Sequence, residues 1–142
     1  MGLNRRDARE LAFSLLYEYS FYTEGDPSVL YERELSLREQ PDDDFLRAEF
    51  FGTVEHAPEL DPLIEKYASG WKTKRMSRVS LAILRLCAYE MLYVDDIPYS
   101  VSINEAVELS KKYNDEKAHA FVNGILNALA EHEGVKEKKK DV

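Results

Sequence analysis

Residues 118–134 read AHAFVNGILNALAEHEG, and their conformation decides the fold class. Asn123-Gly124 is a strong short-range signal for a hairpin turn, because both residues tolerate positive φ. Yet Ala118, Phe121, Val122, Ile125, Leu126 and Leu129 keep helical register across it, where a two-residue hairpin needs period-2 alternation on both sides. The segment is therefore predicted to be a helix that starts after Asn114 or Asp115 and ends near Gly134, a suitable residue just past a C-cap. A glycine inside a helix costs about 1 kcal/mol relative to alanine, so Gly124 suggests the close approach of another backbone.

The rest of the chain follows the same period, and no strand pattern or fixed repeat competes with it. Asn4 is placed to cap a first helix with the stripe Ala8, Leu11, Ala12, Leu15, Leu16 and Tyr19. Asp26-Pro27 opens a second helix, ended by Pro41. Asp42, Asp43 and Asp44 suit the positive end of a third, which Ala57-Pro58 interrupts before a short fourth holding Leu60, Leu63, Ile64 and Tyr67. Ser77 to Val94 is apolar nearly all round and belongs at the centre of an all-α domain. Ser102 to Glu105 reads as the capping box of the next helix, with Glu108 and Lys112 placed for an i,i+4 pair. One domain over 1–134 and a charged, solvated tail over 135–142 are expected.

With 44% hydrophobic and 32% charged residues the chain has the composition of a globular protein. No apolar run reaches the ~20 residues needed to span a bilayer, and cytoplasm is the expected compartment. One cysteine, Cys87, excludes an intramolecular disulfide and is read as a small core residue. His56, His119 and His132 are scattered, so no metal and no cofactor is expected. There is no glycine-rich phosphate loop and no nucleophile motif. Recognition is a better expectation than catalysis; an enzyme would have to be built on Cys87 and a nearby histidine.

The net charge of −8 hides an uneven distribution. Residues 24–65 hold thirteen acids and three bases, whereas residues 66–85 hold six bases and no acid. Arg5, Arg6 and Arg9 gather at the start. Tyr67 and Trp71 border the basic run, and Tyr113 and Phe121 flank the start of the last helix. Cations that follow phosphates and aromatic faces that stack unpaired bases are what single-stranded RNA needs. Each group also has a plainer reading: Arg6 could pair with Glu10, and Tyr67 and Phe121 lie on apolar stripes.

RRDARELAFSLLYE at 5–18, ILRLCAYEML at 83–92, IPYSVSINEAVELSKKY at 97–113 and FVNGILNALA at 121–130 resemble the bacterial NusB family of transcription antitermination factors. INEAVEL followed by FVNGIL is the most specific pair. The resemblance implies an all-α fold of about seven helices in two packed three-helix sub-bundles and a non-enzymatic role. It implies binding to the boxA element of nascent ribosomal RNA together with the small-subunit ribosomal protein known as NusE, acting indirectly on the RNA polymerase elongation complex. It also allows a homodimer. Carried over, the RNA-binding positions are Arg5, Arg6, Arg9, Tyr67, Tyr113, Lys117 and Phe121, and the partner-binding positions are Tyr17 and Ser80. Asp7 stands where the family can be basic, Ser80 where an acid is common, and Lys117 where some relatives are acidic. The alternative from the residues alone is a protein-interaction module or homodimer that never touches RNA.

Overall fold

Side-chain caps set where the helices begin. Asn4, Asp26, Asp43, Ser77 and Asp115 each accept a hydrogen bond from a backbone N–H in the first turn that follows. The computed structural model describes residues 2–22 and 24–140. Among them the helices are α1 (Arg5–Tyr19), α2 (Pro27–Leu37), α3 (Asp44–Lys66), α4 (Arg78–Tyr93), α5 (Tyr99–Tyr113), α6 (Glu116–His132) and α7 (Val135–Lys138). A 3₁₀ turn, Thr73–Arg75, precedes α4. The fold is all-α. Helices α1 to α3 form one group and α4 to α6 the other, joined where α3 and α1 pack on α4.

The helix count agrees with expectation because two differences from it offset each other. The expected break at Ala57-Pro58 is absent: α3 runs through both Pro58 and Pro62. Each proline removes one intrahelical hydrogen bond, normally at a cost of about 3 kcal/mol. Both rings lie on the exposed side, where water can satisfy the freed carbonyls, while Phe50, Leu60 and Ile64 anchor the helix fully buried on either side. The second difference is the tail. Gly134 adopts φ +77, where glycine is favoured, and redirects the chain into the one-turn α7.

The start of the tail is not solvated. Val135 is buried, and Lys139 drives its ammonium inward to donate to the carbonyls of Glu90 and Ile97, both at 2.9 Å. The Glu90 carbonyl lies in the last turn of α4, so a cation there meets the negative end of the helix dipole. Residues 141 and 142 of the expected tail lie outside the described residues.

Helix α4 is central, as its apolar circumference requires: Ala82, Ile83, Leu84, Leu86, Cys87, Ala88 and Met91 are all buried. The close approach that seemed to belong to Gly124 lies elsewhere. A Cβ on Gly124 would meet nothing within 4 Å, because this residue faces solvent. At Gly52 a Cβ would stand 2.3 Å from the ring of Tyr89, so it is α3 that needs a glycine to let α4 close in. Helix α5 begins at Tyr99, not at Ser102. The Ser102 side chain turns inward and donates to the Glu90 carboxylate at 2.8 Å.

Candidate nucleic-acid interface

Charged side chains bridge helices α1 and α5. The Arg6 guanidinium donates to both oxygens of Glu105 at 2.9–3.2 Å. One turn on, Glu10 accepts from the Lys112 ammonium at 2.7 Å and the Tyr113 hydroxyl at 2.6 Å. These two donors hold the Glu10 carboxyl below its usual pKa, and the carboxylate in turn raises those of Lys112 and Tyr113. Neither the Arg6–Glu10 pair nor the Glu108–Lys112 pair forms; Glu108 meets Lys111 at 3.7 Å instead. The Tyr113 ring rests 5.0 Å from Phe13 and remains 42% exposed. Arg5 is exposed, 3.8 Å from Asp96 and over the Phe45 ring at 4.7 Å.

Arg9 departs from the expected arginine cluster. Its helical phase puts it one turn before Phe13 and two before Leu16, both buried, and its own side chain is 6% exposed. Arg9 Nε donates to Glu90 at 2.6 Å, and the Glu49 carboxyl lies 4.0 Å away. Neither Glu49 oxygen has a hydrogen-bond partner among the described residues. Burial, reinforced by the adjoining Glu90, pushes the Glu49 pKa far up and so favours its neutral form. Burial works against the Glu90 carboxylate too, but the hydrogen bonds it accepts from Arg9 and Ser102 hold its pKa below the usual range. Arg9 is thus a structural cation in the seam between the two helix groups, out of reach of a phosphate in this conformation. The sequence signal was Glu90, the one acid in the mostly apolar α4, which needed a buried partner.

A second edge is built by α6 and the loop before α4. Lys117 is exposed, and Phe121, one turn later on the same face, is half-buried against the core. The Trp71 ring meets Phe121 edge-on at 6.2 Å and is 52% exposed. Tyr67 is half-buried at the far end of α6, stacked on His132 at 6.0 Å with its hydroxyl donating to Glu133. His132 is eleven residues from Phe121, so the two aromatic contacts stand roughly 16 Å apart along the helix. Tyr113 and Lys112 close α5 next to Arg6 and Glu10, Lys117 and Phe121 open α6 just after the turn that follows Tyr113, and Tyr67 lies at the far end of α6.

Of the expected partner-binding pair, Tyr17 is exposed and Ser80 is not. Ser80 is buried, and its hydroxyl accepts from Asn114 at 3.0 Å, which ties α4 to the α5–α6 turn. Tyr17 meets Phe21 at 5.1 Å, and the Arg78 guanidinium covers Phe21 at 4.4 Å. Phe13, Tyr17, Phe21, Val79 and Tyr113 line a shallow groove beside the cationic band. Phe21 and Arg78 were not singled out from the sequence; Phe21 stands one helical turn after Tyr17, which was the available signal. Cys87 is buried, and burial raises its thiol pKa well above the ordinary value, which disfavours a nucleophilic thiolate. Among the described residues no helix is long and apolar enough to cross a membrane.

The NusB family model matches residues 6–131. The transcription antitermination protein NusB of Ruminiclostridium cellulolyticum is 46% identical over 125 residues, covering 87% of this chain and 86% of that protein. The T. maritima NusB structure superposes with a TM-score of 0.88 at 34% identity, covering 99% of each chain. A chain from the structure of antitermination factors NusB and NusE in complex with dsRNA superposes with a TM-score of 0.80 at 30% identity, covering 90% of this chain and 96% of its own. Sequence and fold agree over nearly the whole length: the chain belongs to the NusB family.

Proposed function

We propose that this protein is a cytoplasmic transcription antitermination factor that works by recognition, binding boxA-type RNA of ribosomal RNA operons together with a NusE-type ribosomal protein. The observation that carries this reading is the exposed set of Arg6, Lys112, Tyr113 and Lys117, with half-buried Phe121 one turn beyond, on a chain whose relatives are named for antitermination. Its cations match phosphates, and its aromatic rings match unpaired bases. Arg5 extends the band at the helix start. The groove at Tyr17 adjoins the band and shares Tyr113 with it, so a protein docked there would sit beside the bound RNA and extend its surface.

The carboxylates on the band do not oppose this role. An exposed ion pair contributes on the order of 0–1 kcal/mol, so a phosphate can replace Glu105 on Arg6 or Glu10 on Lys112 at little cost. The acidic 24–65 segment provides repulsion elsewhere, which limits non-specific binding. The RNA in the NusB–NusE neighbour is double-stranded, whereas aromatic platforms favour splayed, single-stranded bases.

Anisotropy titrations of a labelled boxA-type single strand, with and without the NusE-type partner and with a duplex competitor, test the reading. Modest affinity alone, tighter affinity with the partner and weak duplex competition are expected. Absence of binding with the partner present would favour a module that contacts only protein.

A further inference from the structure

The loop from Ser69 to Arg75 combines three features that the rest of the surface does not. It carries an unusual backbone: Ser69 holds φ +50 and Gly70 φ +90. For a non-glycine residue such a φ is sparsely populated and persists only where the surroundings hold it. Thr73 supplies the hold, giving both its N–H and its hydroxyl to Glu65 at 3.2 and 3.1 Å. The loop is thereby pinned to the end of α3, and it presents Trp71 to solvent in a fixed place.

Its second feature is that indole. A 52% exposed tryptophan leaves a large apolar face open to water, and Phe121 braces its edge from α6. Phe121 is itself packed against the core, so it offers little open face of its own. The exposed stacking surface at this edge belongs to Trp71, and Phe121 acts as a positioning residue for it.

The third feature is charge. Lys66 and Lys72 are engaged by Glu133 and Glu65 at 3.1 and 3.6 Å. Lys74, Arg75 and Lys117 are exposed and have no carboxylate partner among the described residues. Lys74 and Arg75 follow Trp71 in the same loop, and Lys117 stands one helical turn before Phe121, which meets the indole. The α1–α5 edge differs, since Glu105 and Glu10 clasp Arg6 and Lys112 there.

Together these features point to one ligand chemistry. We infer that Trp71 is a base-stacking platform for single-stranded RNA, with Lys74, Arg75 and Lys117 holding the phosphates on either side of the stacked base. The inference rests on the RNA-binding reading above and extends the bound strand past Phe121 onto the loop. A flat, exposed aromatic face flanked by unpaired cations accepts any base by its π-face, so this subsite adds affinity more than sequence choice.

Trp71 is the chain's single tryptophan, so its emission reports this subsite alone. The test titrates the full chain with an unlabelled boxA-type single strand while following Trp71 emission. The same titration is run by anisotropy with a labelled strand. Quenching that saturates together with anisotropy is expected. Trp71→Ala is expected to weaken binding about 5- to 150-fold, the worth of one base–aromatic stack, with Trp71→Phe recovering most of the loss. Lys74→Gln with Arg75→Gln should lower the salt-dependence slope by roughly 1.4. Matching thermal melting of each variant and the parent shows that the losses are local.

Anisotropy that reports binding while Trp71 emission and Trp71→Ala affinity stay unchanged overturns the subsite and leaves the RNA-binding reading intact. Quenching by the NusE-type partner in the absence of RNA would assign the loop to protein docking and overturn it. No binding in any arm overturns both readings.

Discussion

The seam beneath α1 and the rim above it are made from the same pair of residue types. In the seam, Arg9 meets Glu90 at 2.6 Å with side chains 6% and 1% exposed. On the rim, Arg6 meets Glu105 at 2.9 Å with side chains 66% and 15% exposed. The distances are similar, and solvent decides what each pair does. Taking a charge out of water costs several kcal/mol, so the buried pair is obligatory once formed. The rim pair is screened and exchangeable, which is what a surface that must accept phosphates needs.

The largest effect should come from breaking the seam pair. Arg9→Ala strands the Glu90 carboxylate in the interior and is expected to cost about 3–5 kcal/mol of stability. Denaturant titration measures it. Arg6→Ala on the rim should change stability by less than about 1 kcal/mol while lowering RNA affinity. Equal stability losses at the two sites would erase the contrast.

The seam also titrates. Glu49 keeps its proton in the folded state well above the pH at which the unfolded chain releases it. Its contribution to stability is therefore fully present below the ordinary carboxyl range and falls as pH rises above it. The slope approaches 1.4 kcal/mol per pH unit for one proton, an upper limit of about that size. Glu49→Gln has nearly the same shape and no proton to lose, so its melting temperature should fall less than the parent's between about pH 6 and 9. Parallel curves for the two proteins would mean that Glu49 is already ionised.

On the rim, the expected changes are smaller and of opposite sign. Glu105→Gln releases Arg6, and Glu10→Gln releases Lys112. Each should strengthen RNA binding up to about fivefold at low salt, the worth of an exposed ion pair, with the gain shrinking as salt rises. Weaker binding in both variants would show that the carboxylates orient these cations for RNA.

The seam and the rim also differ in how far the sequence announces them. Helix starts at Asn4, Asp26, Asp43, Ser77 and Asp115 were legible because capping is a contact between neighbours in the chain. The central position of α4 and the helical state of 118–134 followed from periodicity. Lys117, Tyr113 and Tyr17, contact positions implied by the family resemblance, are exposed. What escaped depends on residues far apart in sequence. Arg9 turns inward because Glu90 waits 81 positions later. Lys139 is buried because the carbonyls of Glu90 and Ile97 offer it an acceptor pair. Helix α3 survives Pro58 because Leu60 and Ile64 share a core with Phe50. Ser80 lost its place at the surface to Asn114, which needed its hydroxyl.

The salt dependence of RNA binding tests the central claim, that the exposed band along α1, α5 and α6 holds RNA, most directly. The comparison is between the parent chain and an Arg5→Gln, Arg6→Gln, Lys117→Gln variant, each with the NusE-type partner. Three lost phosphate contacts on a single strand should lower the slope of log affinity against log salt by about 2, with thermal stability nearly unchanged. An unaltered slope together with unaltered affinity would contradict it.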